Sequence, residues 1–246
     1  MKMTTHIKHL IVALVVAFTA TSCLDKEPGS AIPTDEAMQS FNDAEQTVTG
    51  IYALMKSSAL WSGYLTLLPD VQTDLVYAVE GYSNAMGQFW QWNNRPTTSE
   101  VESVYAALYG IIANCNLYLE RIDSVMSKQT DDDSITTLEQ YTGEVYAIRA
   151  LCYSELLKLY CKAYNPATAE SDLGVVLRKS FSKPEPARRA SMKESYDFVV
   201  KDLQQAEEIL ARIEELYSKQ GNLTLYSSYY MTSYVAHALH ARVALY

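Results

Sequence analysis

SMKESYDFVVKDLQQAEEILARIEELY, residues 191–217, decides the fold. Ser191 and Glu194 stand three apart, the spacing at which a hydroxyl takes a backbone N–H and a carboxylate reaches back to the cap. Behind them Tyr196, Val199, Leu203, Ala206, Leu210, Ile213 and Tyr217 step by three and four, which lays one apolar stripe along an α-helix. The same pattern recurs upstream. Ser99 with Glu102 predicts a start for Val101, Val104, Leu108, Ile111, Cys115, Leu119 and Ile122. Thr136 with Glu139 predicts another for Tyr141, Val145, Ile148, Cys152, Leu156, Leu159 and Ala163.

Two further helices complete the set. One starts at an N-cap, Thr34, with Asp35 and Glu36 in its first turn, and runs through Ala37, Phe41, Ala44, Val48, Ile51 or Tyr52, and Met55. The other spans Met231 to Tyr246, where Ala236, Ala238, Ala241 and Ala244 predict close packing against neighbours. Residues 61–96 lack this period and carry glycines, prolines and aromatics, so they read as a long ordered loop. No alternating run supports more than a minor strand. The expected fold is mostly α, in antiparallel helix pairs that resemble tetratricopeptide repeats, joined by long irregular loops. A strict period of about 34 residues is absent. The pattern stops at Ala241–Tyr246 with no C-cap glycine and no basic last turn, which predicts a chain truncated at its C-terminus whose missing part completes the core.

The other end carries an address. Lys2, His6, Lys8 and His9 precede the apolar run Leu10–Ala20, and Thr21-Ser22-Cys23 follows. That order is a secretory signal over residues 1–22. The run is about half the ~20 apolar residues that span a bilayer. Ala20-Thr21-Ser22-Cys23 resembles the bacterial lipobox, in which the cysteine is acylated and becomes the first mature residue. The alternative is an ordinary signal with a chance cysteine. Residues 23–33 are polar and rich in turn formers, as a lipidated tether requires, and residues 34–246 form the helical domain.

Removing residues 1–22 takes Lys2 and Lys8 and no acid, moving the formal net charge from −9 to −11. Such a chain does not seek nucleic acid or an anionic lipid surface. An apolar fraction of 48% sets it among globular proteins. Cys115 and Cys152 fall on apolar stripes and read as small core residues, although in an exported protein two of Cys115, Cys152 and Cys161 could join in a disulfide.

For catalysis the sequence is nearly silent, with no nucleophile elbow, metalloprotease motif or phosphate loop. His237 and His240 share a helix, but neither has a nearby Cys, Asp or Glu, so no metal or cofactor is expected. Asp70, Asp74 and Glu80 are better read as loop acids than as a glycosidase pair, and Asp131-Asp132-Asp133 as a solvated turn. The informative stretch is Tyr77 to Asn94. It sets Tyr77, Tyr82, Phe89, Trp90 and Trp92 among Asn84, Gln88, Gln91, Asn93 and Asn94. Flat apolar faces beside amide groups suit a sugar ring, which has C–H faces to stack and hydroxyls to bond. Phe89 reads as core. Trp90 and Trp92 share a parity and remain open between core and ligand.

The pieces together resemble the N-terminal half of a SusD/RagB-type outer-membrane lipoprotein. The resemblance rests on Ser22-Cys23-Leu24-Asp25, Pro33-Thr34, Asp43-Ala44-Glu45 leading to Gly50-Ile51-Tyr52, and Asp70 to Asp74. Tyr109 to Asn116 (YGIIANCN), Glu144 to Leu151 (EVYAIRAL) and Ala241 to Tyr246 (ARVALY) extend it. It implies a lipid-anchored protein on the outer face of the outer membrane that captures a nutrient, usually an oligosaccharide, for a SusC-like TonB-dependent transporter. Binding, not catalysis, is the implied activity. It also implies a glycan site in the loop after the first helix, here Asp74, Trp90, Trp92 and Asn93. The competing classes are a helical protein-interaction scaffold whose aromatics are core, and a surface glycosidase.

Overall fold

The computed structural model describes residues 36–77, 79, 86–93, 95–183, 187–221 and 229–246. The signal at 1–22, Cys23, the tether at 23–33, the Thr34 cap with Asp35, and Glu80, Tyr82, Asn84 and Asn94 lie outside them. Seven helices occur among the described residues: α1 Phe41–Met55, α2 Tyr64–Gln72, α3 Gly87–Trp90, α4 Ser99–Met126, α5 Asp132–Tyr160, α6 Met192–Lys219 and α7 Ser233–Ala244. The only β feature among them is an isolated antiparallel bridge between Leu173 and Ser191. No helix among them is long and apolar enough to cross a membrane.

The stripe of α6 is buried as read, with Val199, Leu203, Ala206, Leu210 and Ile213 all inside, and the Ser191/Glu194 box is formed in both directions. Other starts differ. The first helix begins at Phe41, because Ser40 and Asp43 make a reciprocal box that outcompetes the upstream residues. Thr98 is the N-cap of α4, without a side-chain cap bond, and Ser99 is already helical. Asp131 caps α5 by accepting from Ser134 N at 2.7 Å, so the acid run is the helix start and Thr136 lies inside the helix. That helix ends at Tyr160, which leaves Ala163 exposed beyond it.

The long loop expected at 61–96 holds α2 and the single turn α3. Gly63 and Pro69 hide α2, yet Leu65, Leu68 and Val71 bury a three-residue step that holds it against the core despite the proline. In α7 only Ala236 of the four alanines is buried, because that helix rests on α6 and α5 along one side.

Helix α5 is the centre. It touches α1, α4, α6 and α7, and between Gly143 and Leu157 nearly every residue is buried, as a helix wrapped on all sides requires. Gly143 lets α6 pack tightly against α5. A Cβ there would lie 2.8 Å from Leu210 Cγ. The thiols of Cys115, Cys152 and Cys161 are all free, and burial pushes Cys115 up to about 12 and Cys152 well above its ordinary value.

The α5–α6 connector lies across α4 and α5 and is held by its backbone. Tyr109 Oη donates to Val176 O at 2.9 Å and accepts from Val176 N at 3.2 Å. Tyr153 Oη does the same for Arg178, at 2.9 and 2.8 Å, and Asn116 Nδ2 adds a bond to Arg178 O at 2.8 Å. Glu120 closes the strap by accepting from Phe181 N, Ser182 N and the hydroxyls of Ser180 and Ser182. Burial alone would raise this carboxyl, but those four donors bring it down to about 2.

Candidate functional site

The residues singled out for sugar contact sit on the loop that carries α2 and α3. Helix α2 ends at Gln72, and Asp74 follows in the left-handed region at φ 58° with its side chain exposed. Met86 (φ 63°) starts α3 and Trp92 (φ 55°) leaves it. Three of the four described non-glycine residues with positive φ therefore fall in this one loop. Such conformations cost about 1–3 kcal/mol each and gather where a loop presents groups to a ligand.

The turn separates the two tryptophans. In an extended chain their shared parity would put them on one face, but α3 is helical and Trp92 reverses the backbone, with Trp92 N bonded to Phe89 O at 3.0 Å and Asn93 N to Gln88 O at 2.8 Å. Phe89 is 3% exposed and belongs to the core, as its reading predicted. Trp90 is half-buried and packs on that core, whereas Trp92 is 68% exposed. Gln88, Gln91 and Asn93 are exposed around it. Leu75 and Tyr77, earlier in the same loop, are each 74% exposed. Helix α2 packs against both α3 and α4, which ties the loop to the body.

A second constellation was not singled out from the sequence. Tyr52 Oη on α1 donates to Glu144 Oε2 on α5 at 2.7 Å, and accepts from Met231 N ahead of α7 at 2.9 Å. Gln140 Nε2 supplies the other Glu144 oxygen at 2.9 Å. Burial pushes this carboxyl up to about 7, against the pull of both hydrogen bonds. These groups line a cleft of about 580 Å³ with Tyr141 and Tyr230. Its signal was present in the short motifs around Tyr52 and Glu144, whose pairing across 92 residues no local reading can supply.

The other candidates resolve into local roles. His237 Nδ1 lies 2.8 Å from Ser233 O and His240 Nδ1 2.9 Å from Glu207 Oε1, so the two imidazoles have separate partners. Among the described residues no three His, Cys, Asp or Glu side chains group as metal ligands. Asp70 lies in the last turn of α2, and its carbonyl accepts from Leu75 N and Val76 N.

A family described as "Starch-binding associating with outer membrane" (SusD-like) matches residues 23–245. The chain belongs to this SusD-like family. Among proteins similar to it, the SusD-like protein P25 of Formosa agariphila is 26% identical over 171 residues, 63% of this chain and 30% of the relative. The SusD-like protein P38 of the same organism is 24% identical over 212 residues, 85% of this chain and 38% of the relative. A solved putative sugar binding protein from Bacteroides vulgatus superposes with a TM-score of 0.67 at 25% identity, covering 85% of this chain and 43% of that one. A SusD superfamily protein from Bacteroides thetaiotaomicron superposes at 0.65 with 21% identity, and shares the fold. The chain thus spans less than half the length of each of these relatives.

Proposed function

We propose that this protein is a lipid-anchored subunit on the outer face of the outer membrane that captures an oligosaccharide, or another nutrient, and passes it to a SusC-like TonB-dependent transporter. The observation that carries the reading is the family match over residues 23–245, beside the lipobox-like Ala20-Thr21-Ser22-Cys23. The exposed ring of Trp92 among the amides of Gln88, Gln91 and Asn93 agrees with it, since a sugar stacks its C–H face and bonds its hydroxyls. In this reading Trp92 is the platform, Asn93 and Asp74 bond hydroxyls, and Trp90 braces the turn from the core side. No bond of the ligand is made or broken. A scaffold with a wholly buried tryptophan pair fits less well, because Trp92 faces solvent.

Calorimetric titration of the full-length protein with neutral oligosaccharides tests the site. Trp92→Ala should weaken binding by roughly three- to tenfold, corresponding to the ~0.5–1.5 kcal/mol of a ring contact. Unchanged affinity removes Trp92 from the site. Release of new reducing ends would point to an enzyme instead, and purification from native membranes without a large β-barrel would remove the transporter partner.

A further inference from the structure

The strap and the helices beneath it border an open concavity of about 860 Å³, lined on its floor by Tyr146, Arg149 and Phe198 and at its rim by Lys179, Arg188 and Lys201. A second, of about 770 Å³, adjoins it, shares Tyr146, Arg149 and Lys179, and adds Arg121 and Lys183. Six of the chain's 20 Lys and Arg residues therefore surround one joined hollow, on a chain of net charge −9. Volumes of this size fall in the range of about 300–1,000 Å³ that holds small ligands.

The acids in the hollow are already engaged. Asp202 takes two bonds from Arg149, Nε to Oδ2 at 2.7 Å and Nη2 to Oδ1 at 2.8 Å. Asp197 pairs with Lys193 at 2.6 Å, Glu194 closes its own helix cap, and Glu120 is covered by the strap. Glu194 is held below its ordinary value first by Ser191, and then by Lys179 and Arg188, which places both cations near it. Among the described residues none of Lys179, Lys183, Arg188 and Lys201 forms an ion pair. The rim cations thus outnumber the acids beside them and have no direct ion-pair partner, with Lys179 and Arg188 acting on Glu194, and Lys201 on Asp202, only through space.

The floor is built rather than accidental. Arg149 is 7% exposed, and its guanidinium lies 5.0 Å from the Phe198 ring centroid and 5.5 Å from that of Tyr146. Asp202 and Asn116 hold three of its five N–H groups, with Nη1 bonded to Asn116 Oδ1 at 2.8 Å. An immobile guanidinium flanked by aromatic rings, below flexible ammonium groups, suits a carboxylate or sulfate carried on a ring.

We infer that this hollow is a second ligand site, distinct from the Trp92 loop, and that it takes an anionic oligosaccharide bearing carboxylate or sulfate groups. The inference rests on the sugar-capture reading above and narrows its substrate class. The buried pair sets the depth of the site and the lysines set its charge selectivity.

The test titrates the full-length protein with a galacturonate trisaccharide, a sulfated galactan tetrasaccharide, maltotriose and sodium sulfate. The charged saccharides should bind at least about tenfold more tightly than maltotriose, and their affinity should fall steeply between about 50 and 300 mM sodium chloride. Comparing the two charged sugars identifies which anion is read. Lys179→Ala with Lys201→Ala, both at exposed positions, should remove about tenfold of that affinity while Trp92→Ala leaves it unchanged. Arg188→Ala provides an independent variant with the same expected loss. Charged sugars that bind equally well to the lysine variants, or that compete with maltotriose and lose affinity in Trp92→Ala, overturn the second site. Binding of maltotriose alone overturns it and leaves sugar capture standing, whereas sodium sulfate binding without either charged sugar reduces the hollow to a simple anion site and overturns it too. No binding by any saccharide defeats both readings.

Discussion

Glu144→Gln should make the protein more stable at neutral pH. The Glu144 carboxyl is 1% exposed, and burial pushes it to about 7 from an ordinary value of 4.5. Its folded pKa therefore lies above its unfolded one. Below about pH 4.5 both states hold the proton, and the group has no effect on stability. Between 4.5 and 7 the unfolded chain releases the proton while the folded chain keeps it, so stability falls as pH rises. At about 1.4 kcal/mol per pH unit the accumulated penalty reaches roughly 3 kcal/mol by pH 7 and then levels off. Glutamine preserves an oxygen for the Tyr52 hydroxyl and carries no charge, so it escapes this loss, while its NH₂ faces Gln140, whose side-chain amide must turn to present its oxygen. Urea denaturation of both proteins at half-unit steps from pH 4 to 8 measures the difference directly. The stability difference in favour of the variant should grow across that window and flatten above it. Groups with depressed values, such as Asp43, Asp131 and Glu120, contribute stability that is lost only as pH falls below the ordinary carboxylate range, so they titrate outside the window and are common to both proteins. A difference independent of pH would refute the argument that desolvation governs this carboxyl.

Asp202→Ala strands the Arg149 charge in the core and should cost about 3–5 kcal/mol, seen as a fall in melting temperature, while replacing both partners with apolar residues should cost less than that single change. Asp131→Ala should cost about 1 kcal/mol in urea denaturation and Thr136→Ala much less, since only Asp131 caps α5. Trp90→Ala should destabilise by less than the ~3–5 kcal/mol of a fully buried aromatic, whereas Trp92→Ala should stay within about 0.5 kcal/mol. Cys23→Ala should yield unprocessed or soluble protein in membrane fractionation if, as proposed, acyl chains on Cys23 at about 0.8 kcal/mol per buried CH₂ supply the attachment.

The helices were legible because each buries a stripe on a 3.6-residue period, and α6 is the clearest because its cap and stripe agree. Starts were less legible where several cap-capable residues crowd together. Thr98 beside Ser99, and Asp131 ahead of Thr136, compete locally, and tertiary packing chooses between them. Helix α2 was hidden by Pro69, whose local cost is overridden by Leu65, Leu68 and Val71. The short motifs behind the family resemblance acquire a physical meaning in the fold. They pair with one another: Tyr52 with Glu144, Asn116 with Arg149, and Arg242 with Glu155 of α5 just beyond one of them. Trp92 could be marked as a candidate because exposed aromatics among amides are a local pattern. The charged hollow could not, because Arg121, Arg149, Lys179 and Lys201 come from three helices and a connector, and only the folded chain brings them to one place.

The connector between α5 and α6 is gripped by atoms that every amino acid possesses. Tyr109, Tyr153 and Asn116 hold the amide and carbonyl groups of Val176 and Arg178, and Glu120 accepts from the amides of Phe181 and Ser182 along with two hydroxyls. At the exposed Lys179, residue identity is thereby uncoupled from the path of the backbone. The helices supply a fixed mount and the strap a replaceable row of side chains above it. Exchanging Lys179 for an aromatic or an acid would rewrite what the hollow displays without asking the fold to rearrange. Within the proposed reading, the ligand that the hollow accepts could be changed through a handful of point substitutions, while the core remains as it was.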